Sequence, residues 1–261
     1  MSSSSIDVKV IEPAGTVVLN RPEHGNALTR SMVQQLVEAL DDLYLEKRVR
    51  AIILTGAGSS FCTGADVAEM RSTQDQDDPE TQWGEDAADF RDLLVRMMEI
   101  TKPLIAAVHG PALSGGAALV AACDLVVASH ESTFGMPEPS FGMVAGLAAP
   151  LVAFRIGAGQ AARLLLTGSA IDAQEAMRIG IFHELTAADT VWARAMEVAK
   201  LCAAGSPEAL QLTKRMVNET LGENLTTQLS TGAIMTATAR TTEHAAEGIA
   251  ALVEGRRPIW K

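Results

Sequence analysis

The sequence predicts a mixed α/β chain, and three observations carry that reading. A short apolar run followed by a glycine turn and a helix-permissive stretch occurs twice: residues 51–55 (AIILT) before Gly56-Ala57-Gly58, and 104–108 (LIAAV) before Ser114-Gly115-Gly116. Apolar runs of that length beside turn residues read as buried strands. From about Thr190 onward the spacing is helical throughout, broken only by Pro207 and Gly222. The third observation is composition: 261 residues at 48% hydrophobic and 20% charged describe a soluble globular chain with ample core. The length fits one large domain or a domain with an appendage, and we place a boundary near residue 195, dividing a core (1–195) from a helical segment (196–261).

Taken in order, residues 6–20 hold two apolar runs, around 8–11 and 16–19, separated by Pro13 and Gly15, and read as a hairpin or paired edge strands. After a turn at 21–26, residues 31–45 set Met32, Val33, Leu36, Val37, Leu40 and Leu43 on one helical stripe. Ser31 with Gln34 matches a capping box at its start. Residues 51–55 follow as a strand, and GSSFCTGADV leads into a helix from Asp66. Residues 72–89 are acidic and nearly devoid of aliphatics, the pattern of a solvated, mobile loop. Helical spacing returns at 90–100, then come a strand at 104–108, a helix through 117–122 and a strand at 125–128. Beyond Gly146 the chain is helical again, and Asp172 caps a further helix that ends in a strand-like stretch.

The formal charge of −11 argues against a nucleic-acid surface, which needs clustered Lys and Arg, although a phosphorylated small ligand needs only a few local cations. Cys62, Cys123 and Cys202 stand far apart with no CxxC, as expected of reduced thiols in a cytoplasmic protein. The N-terminal MSSSSIDVKV carries neither the apolar core of a signal peptide nor the arginines of a transit peptide. The small-residue run at 112–123 is too short to span a membrane.

The chemistry concentrates between Lys102 and Glu138. Glycines at a helix start admit a ligand close to the backbone, and the first N–H groups of a helix have no intrahelical partner. With the positive end of the helix dipole, the donors at Gly115 and Gly116 suit an anion or a developing oxyanion. Glu138 stands between Pro137 and Pro139, so an extended, stiff backbone is expected to hold it out of a helix. A dinucleotide fold is disfavoured because Phe61 stands where the third glycine of GxGxxG belongs. A serine hydrolase would use Ala112-Leu113-Ser114-Gly115-Gly116 as its nucleophile turn with His183 as base, and nothing marks an acid partner for that histidine.

A third reading rests on six motifs in order: NRPEHGNAL at 20–28, GSSFCTGADV at 58–67, HGPALSGGAAL at 109–119, CDLVVAS at 123–129, FGMPEPSFGMVAG at 134–146, and the GSAIDAQEAMRIGIF stretch. Together they make the chain resemble the crotonase (enoyl-CoA hydratase/isomerase) superfamily over essentially its full length. The resemblance implies a ββα spiral core with a helical C-terminal region for trimer packing, often as a dimer of trimers. It implies an acyl-CoA thioester as substrate, no separate cofactor and no metal. Motif matching assigns the carbonyl-polarising amides to Ala65 and Gly115, the acid/base to Glu138, and a further catalytic position to Gly146. It places Ala27, Asp66, Val67, Met70, Gly116, Phe141, Met143, Trp260 and Lys261 along the substrate, with Arg257 also reaching a neighbour's CoA from the C-terminus. Asp66 is also the acid expected at a helix start, and Asp124 a turn or cap. Met70, Trp83, Met97, Met98, Phe141, Met143 and Leu147 are the side chains expected around the acyl tail, with ordinary core packing the competing reading of the methionines.

Departures from the family pattern narrow the chemistry. Hydratases of the family commonly hold the attacking water between two glutamates; Glu138 matches the second, but Ala118 stands at the first. Isomerases of the family manage with one glutamate at the Glu138 position. Glu23-His24 occupies a place where a lysine often assists the CoA phosphates. The expectation is therefore an enoyl-CoA enzyme in which double-bond isomerisation is at least comparable with hydration. A catalytically idle acyl-CoA-binding trimer and another crotonase-fold chemistry, such as thioester hydrolysis, stay open.

Overall fold

The computed structural model describes residues 5–222 and 224–260. The chain opens as an antiparallel hairpin, β1 (Ile6–Ile11) and β2 (Ala14–Leu19), with Ile6 opposite Leu19. Helix α1 (Arg30–Leu45) carries it back so that β3 (Ala51–Gly56) lies parallel to β2. Helices α2 (Val67–Gln74) and α3 (Pro79–Glu99) lead to β4 (Leu104–Val108), parallel to β3. After β5 (Ala112–Leu113) and α4 (Gly115–Ala122), β6 (Leu125–Ser129) adds beside β4, again parallel. Next come β7 (Thr133–Gly135), α5 (Ala148–Thr167), β8 (Ile171–Asp172), α6 (Ala173–Ile179) and β9 (Glu184–Thr186). Strand β9 completes a six-stranded sheet in the order β1-β2-β3-β4-β6-β9, and β5-β7-β8 form a second, three-stranded sheet. Helices α7 (Val191–Ala203), α8 (Pro207–Arg215), α9 (Leu225–Arg240) and α10 (Glu243–Glu254) follow.

Alternate residues of the central strands feed two cores. Ile52, Leu54, Ala106, Val108 and Val126 face one core, filled by α1, α3 and α4, while Ile53, Ile105, Ala107 and Val127 meet Val191, Ala195 and Ala199 of α7. A sheet covered on both faces needs strands apolar at every position, which is why 51–55 and 104–108 are continuous hydrophobic runs. The boundary expected near residue 195 falls within α7, the helix that seals the second face. Burial pushes the Cys62 and Cys123 thiols up to about 12, which leaves them unionised and inert. No helix among the described residues is long and apolar enough to cross a membrane.

Three local expectations are corrected. The acidic stretch is helix rather than mobile loop over most of its length: Asp78 accepts from the Thr81 N–H, Pro79 occupies the first turn, and Trp83 and Ala87 are buried one turn apart. One small or aromatic residue per turn is a stripe too thin to stand out against so many carboxylates. The N-cap of α1 is Thr29, whose Oγ1 accepts from the Met32 N–H; Ser31 lies inside the first turn instead. Glu138 does not sit in extended backbone but opens a one-turn 3₁₀ helix, Glu138–Phe141, in which Pro139 takes a position that needs no N–H donor.

Candidate active site

Three turns are clamped together by main-chain bonds. The 58–66 turn donates from Phe61 and Cys62 to the Pro111 carbonyl and accepts from Leu113 at Cys62, which ties it to the entry of α4. It also exchanges Leu28 N–H to Gly64 O and Asp66 N–H to Leu28 O with the 20–28 turn. Asn26, fully buried, donates to the carbonyls of Ala57 and Ser60 and accepts from the Arg21 N–H, so its side chain spans the same two turns. Gly64 permits the approach: at φ +105°, a Cβ there would lie 2.5 Å from Ser114 Cβ.

The result is two residues with free amides beside one cavity. Ser114 has φ 54° and ψ −122°, an unusual conformation for a residue with a side chain, held by its N–H bond to the Gly135 carbonyl. That turn sets Gly115 as the first residue of α4, with its N–H free of any intrahelical acceptor. Neither the Ala65 nor the Gly115 N–H has an acceptor among the described residues, and both residues line a cavity of about 200 Å³.

Glu138 faces the same cavity and is 9% exposed, with Oε2 unpartnered among the described residues. Burial pushes its carboxyl above the usual range; the nearby Ser114 hydroxyl and the positive field of Arg240 act the other way. Ala118, also in the lining, is 1% exposed and brings no carboxylate. The other acids of the lining are mostly committed. Asp66 caps α2 through the Ala68 and Glu69 N–H groups and pairs with Arg21 at 2.8 Å. Glu69 accepts from the Arg30 N–H, and Asp86 binds the Arg30 side chain through both oxygens. Asp89, exposed, has no hydrogen-bond or ion-pair partner among the described residues.

Of the residues expected at the site, Ala65, Asp66, Val67, Met70, Gly115, Glu138, Phe141, Met143, Gly146 and Leu147 line the cavity together. Ala27 and Gly116 lie behind the wall: the Ala27 carbonyl holds Arg21 at 2.7 Å, and a Cβ at Gly116 would strike the Cys62 carbonyl. Trp83 is buried away from the cavity lining, Met97 belongs to the core, and Met98 packs against that core beside α8 and α9. Trp260 is half exposed and stacks edge-on with His244, Arg257 is exposed, and Lys261 lies outside the described residues. His183 accepts from the Val126 N–H at 3.0 Å and does not line the cavity, so Ser114 has no histidine base. Sequence reasoning missed the wall that the C-terminal helices supply, namely Thr236 and Arg240 of α9 and Leu252 of α10, because no motif marks them and α9 carries no clear amphipathic stripe.

Comparison with known proteins places the chain in a family. The model of the family described as "Enoyl-CoA hydratase/isomerase" matches residues 13–261. The chain belongs to the enoyl-CoA hydratase/isomerase family. A putative enoyl-CoA hydratase from Thermus thermophilus is 36% identical over 242 residues, covering 93% of this chain and 95% of that one. A probable enoyl-CoA hydratase from Mycobacterium leprae is 33% identical over 259 residues, covering 99% and 98%. The crystal structure of an enoyl-CoA hydratase/isomerase from Xanthobacter autotrophicus Py2 superposes with a TM-score of 0.88 at 28% identity, covering 97% of this chain and 95% of that one. The mixed α/β architecture is thus that of the enoyl-CoA hydratase/isomerase family.

Proposed function

We propose that the chain isomerises the double bond of an unsaturated acyl-CoA thioester, with Glu138 as its single acid/base and the Ala65 and Gly115 amides as the oxyanion donors. One observation carries the reading: two partnerless N–H groups and one buried, partnerless carboxylate oxygen line the same cavity, while Ala118 occupies a neighbouring wall position without a carboxylate. Glu138 takes the C2 proton of a 3-enoyl-CoA, and the electron pair moves through the thioester to leave negative charge on its oxygen. Backbone donors there meet that charge, and each is worth about 2.7–4 kcal/mol in comparable oxyanion holes. The dienolate collapses as the protonated Glu138 returns the proton at C4, which yields the 2-enoyl-CoA and regenerates the carboxylate. A group that both takes and returns a proton works best with a pKa near the working pH, and burial moves Glu138 in that direction.

Hydration is the second reading, and Asp89 favours it, as the cavity's other carboxylate without a partner among the described residues. A water held between Glu138 and Asp89 would add across C2=C3. Both readings are tested by assaying 3-enoyl-CoA isomerisation beside 2-enoyl-CoA hydration with the purified protein, wild type and Asp89→Asn. Isomerisation at least equal to hydration and indifferent to Asp89→Asn supports the single-glutamate reading. Fast hydration without isomerisation, lost in Asp89→Asn, replaces it.

A further inference from the structure

Two arginines line the cavity, and their situations differ. The Arg30 guanidinium is engaged through two of its nitrogens: Nε reaches Asp86 Oδ1 at 2.6 Å, Nη2 reaches Asp86 Oδ2 at 2.8 Å, and Nη2 also bonds Thr73. Arg240, the last residue of α9, makes no hydrogen bond or ion pair among the described residues. The charges that act on it are Asp86, already neutralised by Arg30, then Arg30 itself and Glu138. Arg240 is partly buried, and that burial pushes its guanidinium down while the charges of Asp86 and Glu138 act the other way. One helical turn earlier on the same face, Thr236 lines the cavity with a buried hydroxyl that also has no partner.

Five N–H donors on a partly buried guanidinium, with a buried hydroxyl one turn away, are unfavourable unless something accepts from them. The negative end of the α9 dipole helps a terminal cation, but it leaves the donors unmet and does nothing for Thr236. Apolar residues of similar volume would be at least as stable in their place. None of the neighbouring acids bonds the guanidinium: Asp66, Glu69 and Asp86 are engaged elsewhere, Asp89 is exposed, and Glu138 acts on it only through its charge. The missing partner is an anionic acceptor with two oxygens in a plane, the shape a guanidinium fork recognises. Met143, Phe141, Leu147 and Leu252 supply apolar wall in the same cavity, suited to the methylenes of a chain that bears it.

We propose that Arg240 and Thr236 form a distal subsite for a carboxylate on the acyl chain, so that the preferred substrates are CoA thioesters of unsaturated dicarboxylic acids. This deepens the acyl-CoA reading above and rests on it. The test is calorimetric binding of unreactive saturated ligands to the full-length protein: hexanoyl-CoA against adipoyl-CoA, octanoyl-CoA against suberoyl-CoA, and free CoA. Charge-assisted hydrogen bonds make the dicarboxylic member tighter by about 10- to 100-fold at one chain length or both. Arg240→Met collapses that ratio to near one or below, Arg240→Lys keeps part of it, and Thr236→Val lowers it by about threefold to tenfold. The melting temperature of Arg240→Met equals or exceeds that of the wild type. Ratios below about threefold at both lengths overturn the subsite while leaving the acyl-CoA reading intact. An equal loss for CoA and all acyl-CoAs in Arg240→Met would assign the guanidinium to the CoA phosphates and overturn it too. If no ligand binds the wild type, the acyl-CoA reading itself fails and the subsite falls with it. Should Arg240→Met not fold, Arg240 is structural, and a ratio unmoved by Thr236→Val then closes the case against the proposal.

Discussion

Glu138→Gln isolates the chemistry, because glutamine keeps the shape of the side chain and removes only the titratable proton. The carboxyl is 9% exposed, Oε2 has no partner among the described residues, and the residue opens a one-turn helix flanked by two prolines. A positioned base is worth about 10²–10⁴ in rate, or about 2.7–5.4 kcal/mol, and the variant should lose that much of 3-enoyl-CoA isomerisation. The pH dependence gives a second reading of the same group. Burial places the folded carboxyl above its ordinary 4.5, and the base works only when ionised. Wild-type kcat/KM should therefore fall as pH drops through that raised value, and the residual activity of the variant should lack this acid limb. Stability moves the opposite way. At pH values between the unfolded and folded pKa, the native chain keeps a proton that the unfolded chain has released. The stabilising contribution is thus complete below the ordinary value and is lost as pH rises through the folded one. Glutamine never ionises, so the variant should melt above the wild type at about pH 8, with the difference shrinking towards about pH 5. A variant within about tenfold of the wild-type rate, with the same acid limb, would refute the assignment of Glu138 as the base.

Gly115→Pro deletes one amide donor at a helix position where proline is tolerated, and turnover should fall by about 10²–10³. Gly115→Ala is the control, since its Cβ would meet Leu28 and Phe90 at 3.4 Å and the Gly64 Cα at 3.6 Å, all ordinary contacts, and it keeps the N–H; equal rates for the folded proline variant and the wild type would remove Gly115 from the mechanism. Ala118→Glu returns a second carboxylate to the cavity wall, so hydration relative to isomerisation should rise by about tenfold or more, at some expense in thermal stability from burying the charge. An unchanged product ratio would show that the wall at 118 does not decide the reaction. Ile234, Met235, Val253 and Ile259 are each more than half exposed on or beside α9 and α10, an apolar surface that copies of the chain should cover. Light scattering should then report three or six times the 27.5 kDa chain, and a monodisperse monomer at micromolar concentration would contradict this.

Much of the frame is a local property of the chain and was legible without coordinates. The strands at 51–55 and 104–108 announce themselves because a sheet buried on both faces must be apolar at every position. The Asp66 and Asp172 caps are equally local, each made to N–H groups two or three residues ahead. The carboxylate inventory, Glu138 present and Ala118 bare, can be read off the chain once the motifs are aligned. The tertiary structure decided what depends on residues far apart. The acidic segment is helical although its composition reads as loop. Folding sets Asp86 against Arg30, 56 residues away, and buries Trp83, so partners outside the segment stabilise what its own pattern does not. Glu138 takes a turn rather than extended backbone because the 138–141 helix is packed between α5 and α10. Arg240 and Thr236 become cavity residues only when α9 folds back against α3 and α5, and Gly146 and Gly232 let the chains meet so closely that a Cβ on either would strike the other's carbonyl. Periodicity reports which face of an element is apolar; it carries no information about which distant element that face will meet.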